Sequence, residues 1–148
     1  MAICTFFGHK TTPQEIEPYL QATLFDLIKN KNVTSFYVGN HGNFDYLVRK
    51  NLKSLKLKYP QIEYAVVLAY MPSKKSERDF MDYSDTIYPC GLECTPPKYA
   101  IIKRNKWMLD KADYVITYVT TTNVGGAAQF KSLAEKKGKT VINLATDQ

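Results

Sequence analysis

This sequence predicts a doubly wound α/β fold, a parallel sheet with helices on both faces. Three observations predict it. Short apolar runs rich in β-branched and aromatic residues alternate with segments of helical apolar periodicity along all 148 residues. Strand, helix, strand in that repetition builds a parallel sheet, and right-handed crossovers spread the helices over its two faces as a three-layer sandwich. Glycines, finally, gather where strands hand over to helices. The expectation is one domain spanning 1–148, a length that supports one sizeable core.

The first strand is "AICTFF", Ala2 to Phe7. In "TPQE", Thr12 is the expected N-cap, with Pro13 at the first helical position and Glu15 completing a capping box. Ile16, Tyr19, Leu20, Thr23, Leu24, Leu27 and Ile28 then recur on one helical face. "TSFYVG" is the second strand. "NFDYLVRKNLKSLKLKY" is the second helix, with Phe44, Leu47, Val48, Leu52 and Leu55 inward. "YAVVLAYM", Tyr64 to Met71, is continuously apolar, as a strand buried on both faces is. Pro72 to Pro96 shows no periodicity and predicts a long loop, functional or mobile. Thr95, Pro96 and Pro97 open the helix "PKYAIIKRNKWMLDKA", whose expected inward stripe is Ile101, Ile102, Asn105, Met108, Leu109 and Ala112. "DYVITYVT" is the fourth strand. A helix from about Gly126 stops at Gly138, and "TVINLA" is the fifth strand. About five parallel strands result.

Composition excludes several classes. The 45% hydrophobic and 23% charged residues are ordinary for a globular protein. No apolar stretch approaches a membrane span and no secretory pattern opens the chain, so a cytoplasmic protein is expected. Three cysteines, Cys4, Cys90 and Cys94, do not make a disulfide framework. Cys90 and Cys94, with His9 and His41, leave a zinc site open. Their spacing is loose and no second cysteine pair exists, so loop thiols are expected, with no metal and no cofactor. The net charge of +6 sits mostly in "RKNLKSLKLKYP", "PSKKSER" and "EKKGK". Lysines interleaved with leucines suit solvated helix faces better than a nucleic-acid stripe, and the mild positive field favours small anions.

In open α/β sheets the ligand sits beyond the carboxyl ends of the strands. Gly8, His9, Lys10 and Thr11 follow the first strand. Gly39, Asn40, His41, Gly42 and Asn43 follow the second. Thr120, Thr121, Thr122, Asn123, Gly125 and Gly126 follow the fourth. Gly8, Gly39, Gly42, Gly125 and Gly126 are five of the chain's 7 glycines. A helix N-terminus offers unpaired N–H groups and partial positive charge, and glycine lets a phosphate approach them. A tight turn would also ask for glycine. The expected ligand contacts are Gly8, His9, Lys10, Gly39, Asn40, Gly42, Arg104, Thr120, Thr121, Gly125, Gly126 and Ala127. His9 and His41 are loop histidines, fixtures or acid/base groups. Arg104 is either a solvated mid-helix arginine or a guanidinium reaching a phosphate or ribose. Trp107 is expected to pack. Among Glu77, Asp79, Asp82, Asp85 and Glu93, one carboxylate could serve as a base. Arg104, Glu93 and His9 are the catalytic candidates.

"FFGHK", "YVGNHGNFD", "IYPCGLE", "IIKRNKWM", "ADYVITYV" and "GGAAQF", in that order over nearly the whole chain, resemble the Rossmann-like SLOG superfamily. The similarity is greatest to its small stand-alone bacterial members of the YpsA and molybdenum-cofactor-carrier-like group. The resemblance implies a sheet order 3-2-1-4-5 and a nucleotide or nucleotide-derived ligand between the loops after strands one and four. Its LOG-type phosphoribohydrolases use an arginine in an "RKxxM" helix and a "PGGxGTxxE" motif that holds phosphate and supplies an acid. Here "RNKWM" keeps Arg104 and Met108, with Asn105 in the lysine's place. "VGGAAQF" keeps Gly125 and Gly126 but not the later glycine, threonine and glutamate. Gln129, an amide, cannot move protons at neutral pH, so phosphate binding is implied and glycosidic hydrolysis is not. The superfamily's DNA-processing DprA proteins have no specific counterpart here. The expectation is a homo-oligomeric sensor, carrier or weak enzyme for a nucleotide-like ligand. The rivals are an active nucleotide N-glycosidase and a single-stranded nucleic-acid module, the latter suggested by +6 and 11 tyrosines.

Overall fold

A computed structural model of the chain describes residues 2–69, 86–87, 92, 95–120 and 125–145. Strands β1 (Ala2–Gly8), β2 (Val33–Val38), β3 (Glu63–Val67), β4 (Thr86–Ile87), β5 (Tyr114–Tyr118) and β6 (Thr140–Asn143) form one sheet of order β4-β3-β2-β1-β5-β6. Every pairing is parallel, with Val38 opposite Val66 and Gly8 opposite Tyr118. Among the described residues the α-helices are α1 (Glu17–Asn30), α2 (Gly42–Lys58), α3 (Pro97–Lys111) and α4 (Gly126–Lys136).

Alternation along β1 builds the two layers, because successive side chains leave a strand on opposite faces. Cys4 and Phe6 pack with Leu20, Leu24, Phe44, Leu47 and Leu52, so α1 and α2 cover one face. Phe7 packs with Met108, Leu109, Phe130 and Ala134, so α3 and α4 cover the other. Cys4 is fully buried, and burial pushes its thiol far up, which keeps it protonated. This is a Rossmann-like α/β sandwich. The chain winds outward from β1 through β2 to β4, then returns to add β5 and β6 on the other side. The switch point is therefore between β1 and β5.

Several expectations need correction. The expected five strands in order 3-2-1-4-5 correspond to β3-β2-β1-β5-β6, and a sixth strand lies outside them. It is Thr86–Ile87, inside the segment expected to be a loop. Two residues are too short to carry a period-two pattern, and the open edge of β3 recruits them: the Leu68 N–H donates to the Ile87 carbonyl at 2.8 Å. The third strand is also shorter than Tyr64 to Met71, ending at Val67, with Leu68 and Ala69 buried just beyond it.

The expected capping box does not form. Thr12 Oγ1 donates to the His9 carbonyl at 2.6 Å instead of accepting from a helix, and a 3-10 turn, Gln14–Ile16, precedes α1. Tyr19 is 60% exposed, off the inward face. On α3 the buried stripe is rotated towards Ala100, Arg104 and Met108: Arg104 is 3% exposed, whereas Ile102 is 43% exposed. The stop at Gly138 is as expected. Its φ of +77° suits glycine, and the Gly138 and Lys139 N–H groups bond the carbonyls of Glu135 and Ala134, a Schellman closure. Among the described residues no helix is long and apolar enough to cross a membrane.

Candidate functional site

A cavity of about 390 Å3 opens at the carboxyl ends of β1 and β5, the position a doubly wound sheet reserves for a ligand. The loop after β1 forms its floor, contributing Gly8, His9, Lys10 and Thr11. One wall is the start of α2, through His41 and Asp45, and another is the inner side of α3, through Ile101, Arg104, Asn105 and Met108. The start of α4, Gly125 to Ala127, closes the third side.

Hydrogen bonds fix the floor from both directions. The Asn43 N–H donates to the Lys10 carbonyl at 2.8 Å, and Asn43 Nδ2 donates to the Thr12 carbonyl at 2.5 Å. On the far side, the Thr120 N–H donates to His9 Nε2 at 3.2 Å, and the His9 ring meets the edge of Tyr118. With its Nε2 lone pair engaged, neutral His9 carries its proton on Nδ1 and acts as a donor there. Burial lowers its pKa below the usual 6.5, which favours that neutral form. The exit from β5 is clamped in turn. Asn143 Nδ2 donates to the Val119 carbonyl and Asn143 Oδ1 accepts the Val119 N–H, each at 2.9 Å.

Arg104 is not a solvated arginine. Its Nη1 donates to the Val67 carbonyl at 3.0 Å and, at the long distance of 3.5 Å, to Asn40 Oδ1, while Nε donates to Asn105 Oδ1 at 2.7 Å. A buried guanidinium needs such partners, and here they tie α3 to the end of β3 and to the loop after β2. Beside it lies Asp45, 8% exposed, with Oδ2 accepting the His41 N–H at 3.0 Å. Burial raises the Asp45 pKa, and the charges of Arg104 and Arg49 with the His41 N–H oppose that rise. His41 is lowered, first by burial and then by the positive charges of Arg104, Lys10 and Arg49.

The glycines divide into two kinds. A Cβ at Gly8 would run into the Phe44 ring. At Gly39 it would lie 2.7 Å from Arg104 Nη1 and 2.8 Å from Asp45 Oδ2. At Gly42, where φ is +85°, it would lie 2.6 Å from the Lys10 Cα. Packing and backbone account for these three. At Gly126 a Cβ would meet nothing within 4 Å among the described residues. Its φ is not in the left-handed region either, and Gly125 is extended with φ of −82°.

Of the expected contacts, Gly8, His9, Lys10, Arg104, Gly125, Gly126 and Ala127 come together around the cavity. Gly39, Asn40 and Gly42 stand behind its wall, and Thr120 behind His9. Thr121 and the catalytic candidate Glu93 fall outside the described residues, as do Cys90, Cys94, Glu77, Asp79, Asp82 and Asp85. Trp107 packs on Tyr37, with ring centroids 5.3 Å apart. Gln129 is exposed and does not line the cavity. Sequence reasoning missed Asp45. Its signal is slight, since an acidic residue in the first turns of a helix ordinarily just complements the dipole. Among the described residues no cluster of three or more His, Cys, Asp or Glu is placed to hold a metal ion. No family model and no curated protein matches the chain.

Proposed function

We propose that this protein binds a nucleotide or nucleotide-derived phosphate ligand in the cavity at the switch point, with the phosphate against the N–H groups of Gly126 and Ala127. The single observation that carries this reading is the open space over Gly126, at the N-terminus of an 11-residue helix facing the cavity. Among the described residues neither strain nor packing asks for glycine there, which supports room for a ligand as its use. The first amides of a helix have no i−4 carbonyl to bond. The first turn of α4 has no acidic side chain, unlike α2, whose own Asp45 reaches back to His41. A ligand's phosphate would supply the negative charge that α4 lacks in its own first turn. Lys10 and Arg104 add positive charge to the cavity, and Nδ1 of His9 adds a donor.

The resemblance to the SLOG superfamily supports a nucleotide as the class of anion. It also frames the role as a cytoplasmic, homo-oligomeric sensor or carrier in which hydrolysis is weak or absent. A thermal-shift screen of mononucleotides, ADP-ribose and dinucleotides tests the binding. A ligand at about 100 times its dissociation constant stabilises by about 2.7 kcal/mol if it binds only the folded chain. At least one should do so, and Gly126→Val should remove the shift while leaving the protein's own melting temperature nearly unchanged. If the variant responds fully to the ligand, the phosphate is elsewhere.

A further inference from the structure

Phosphate binding gives no role to Asp45, although it is part of the cavity wall. The side chain is almost wholly buried, at 8% exposure, and Oδ2 is held by the His41 N–H. Among the described residues no hydrogen bond reaches Oδ1. Asp45 as a whole is largely removed from water yet lines the cavity, so a donor brought by the ligand adds a hydrogen bond at little further desolvation cost.

The surroundings select the kind of donor. Arg104 and Arg49 already act electrostatically on Asp45, and Lys10 lines the same cavity. A cationic donor would meet those three positive charges. A second anionic group would meet the carboxylate. A neutral O–H avoids both and forms a charge-assisted hydrogen bond. The cavity, at about 390 Å3, falls in the size range of small-ligand sites. In a nucleotide anchored by its phosphate, the neutral hydroxyls nearest the anchor are those of the sugar.

We propose that Asp45 accepts a hydrogen bond from a sugar hydroxyl of the bound nucleotide and so selects ribose over deoxyribose. This rests on the phosphate reading above and adds the ligand's sugar to it.

The test compares the four ribonucleoside monophosphates with their 2′-deoxy and 3′-deoxy counterparts by titration calorimetry. Wild type, Asp45→Ala and Asp45→Asn are measured, with inorganic phosphate as a separate probe. In wild type, removing one of the two hydroxyls should weaken binding about 10- to 100-fold, the range for a hydrogen bond to a charged group. In Asp45→Ala the ratio should fall to within about 3-fold, while inorganic phosphate still binds, because the α4 amides, Lys10, Arg104 and His9 Nδ1 all remain. Asp45→Asn keeps a carbonyl oxygen for the His41 N–H, so it decides the matter if the alanine variant does not fold. Equal binding of ribose and deoxyribose forms by wild type would overturn the proposal. So would a ribose preference that persists undiminished in folded Asp45→Asn, or a preference that follows the base and not the sugar. If neither nucleotides nor inorganic phosphate bind wild type, the phosphate reading fails first and this one with it.

Discussion

Two loops in this protein carry paired glycines into the N-terminus of a helix, and they use the space in opposite ways. At the entry to α2 the room beside Gly39 is filled by Arg104 and Asp45, and Gly42 lies against Lys10. That helix receives its negative charge from within, through Asp45 and the His41 N–H. At the entry to α4 nothing among the described residues approaches Gly126, and no acidic residue stands in the first turn. The same sequence signal therefore has two physical meanings. A glycine is absent-side-chain space in both loops, but in one the protein occupies that space and in the other the described residues leave it open. What fills the first of them is a residue from α3, remote in sequence, whose guanidinium lies beside Gly39.

The comparison breaks most easily at Arg104. Arg104→Ala would remove the donors to Val67, Asn40 and Asn105 and leave Asp45 buried without its main compensating charge. Removing one member of a buried charged cluster destabilises by about 3–5 kcal/mol. Chemical denaturation should show a loss of that order, accompanied by faster hydrogen exchange in the loop after β2. A loss below about 1 kcal/mol, the range of an exposed ion pair, would mean that the filled loop does not depend on Arg104.

A smaller effect separates the glycines themselves. Gly39→Ala forces a methyl against Arg104 and Asp45 and should cost about 1–3 kcal/mol, as overpacking does. Gly126→Ala has open space and an ordinary backbone. It should be neutral or stabilise by up to about 1 kcal/mol, by reducing the freedom of the unfolded chain. Parallel urea melts of the two variants measure the difference, and equal losses would erase the distinction between the loops.

The smallest effect is a pH dependence shared by the two ends of the cavity. His9 and His41 both have folded pKa values lowered from 6.5, chiefly by burial. Between those lowered values and 6.5 the unfolded chain binds more protons, so stability is full above about pH 6.5 and declines as the pH falls. Asp45 acts in the opposite sense, because its raised value means that its contribution is lost as pH rises through the folded pKa. His41→Asn should flatten part of the decline between pH 6.5 and the lowered folded value. An equally steep decline in the variant would place the effect on other groups.

The sequence by itself determined the alternation of elements, the parallel sheet and the location of the cavity. Those follow from local periodicity and from chain handedness, both of which are properties of short stretches. It also brought the floor residues His9 and Lys10 and the α4 residues Gly125 and Gly126 to one end of the sheet, because each follows a strand whose direction the crossovers dictate. The Thr86–Ile87 strand was not legible, since it exists only by pairing with the edge of β3. Nor was Thr12, whose hydroxyl bonds the β1 loop in place of the helix its local pattern suggested. The arginine shows the limit most plainly. By periodicity Arg104 falls beside an apolar stripe, and whether such a residue faces water or the interior depends on whether partners wait inside. The Val67 carbonyl and Asn40, from elements 37 and 64 residues away, are those partners. Burial of a charge is decided by what surrounds it in space, and no local pattern in the chain encodes that.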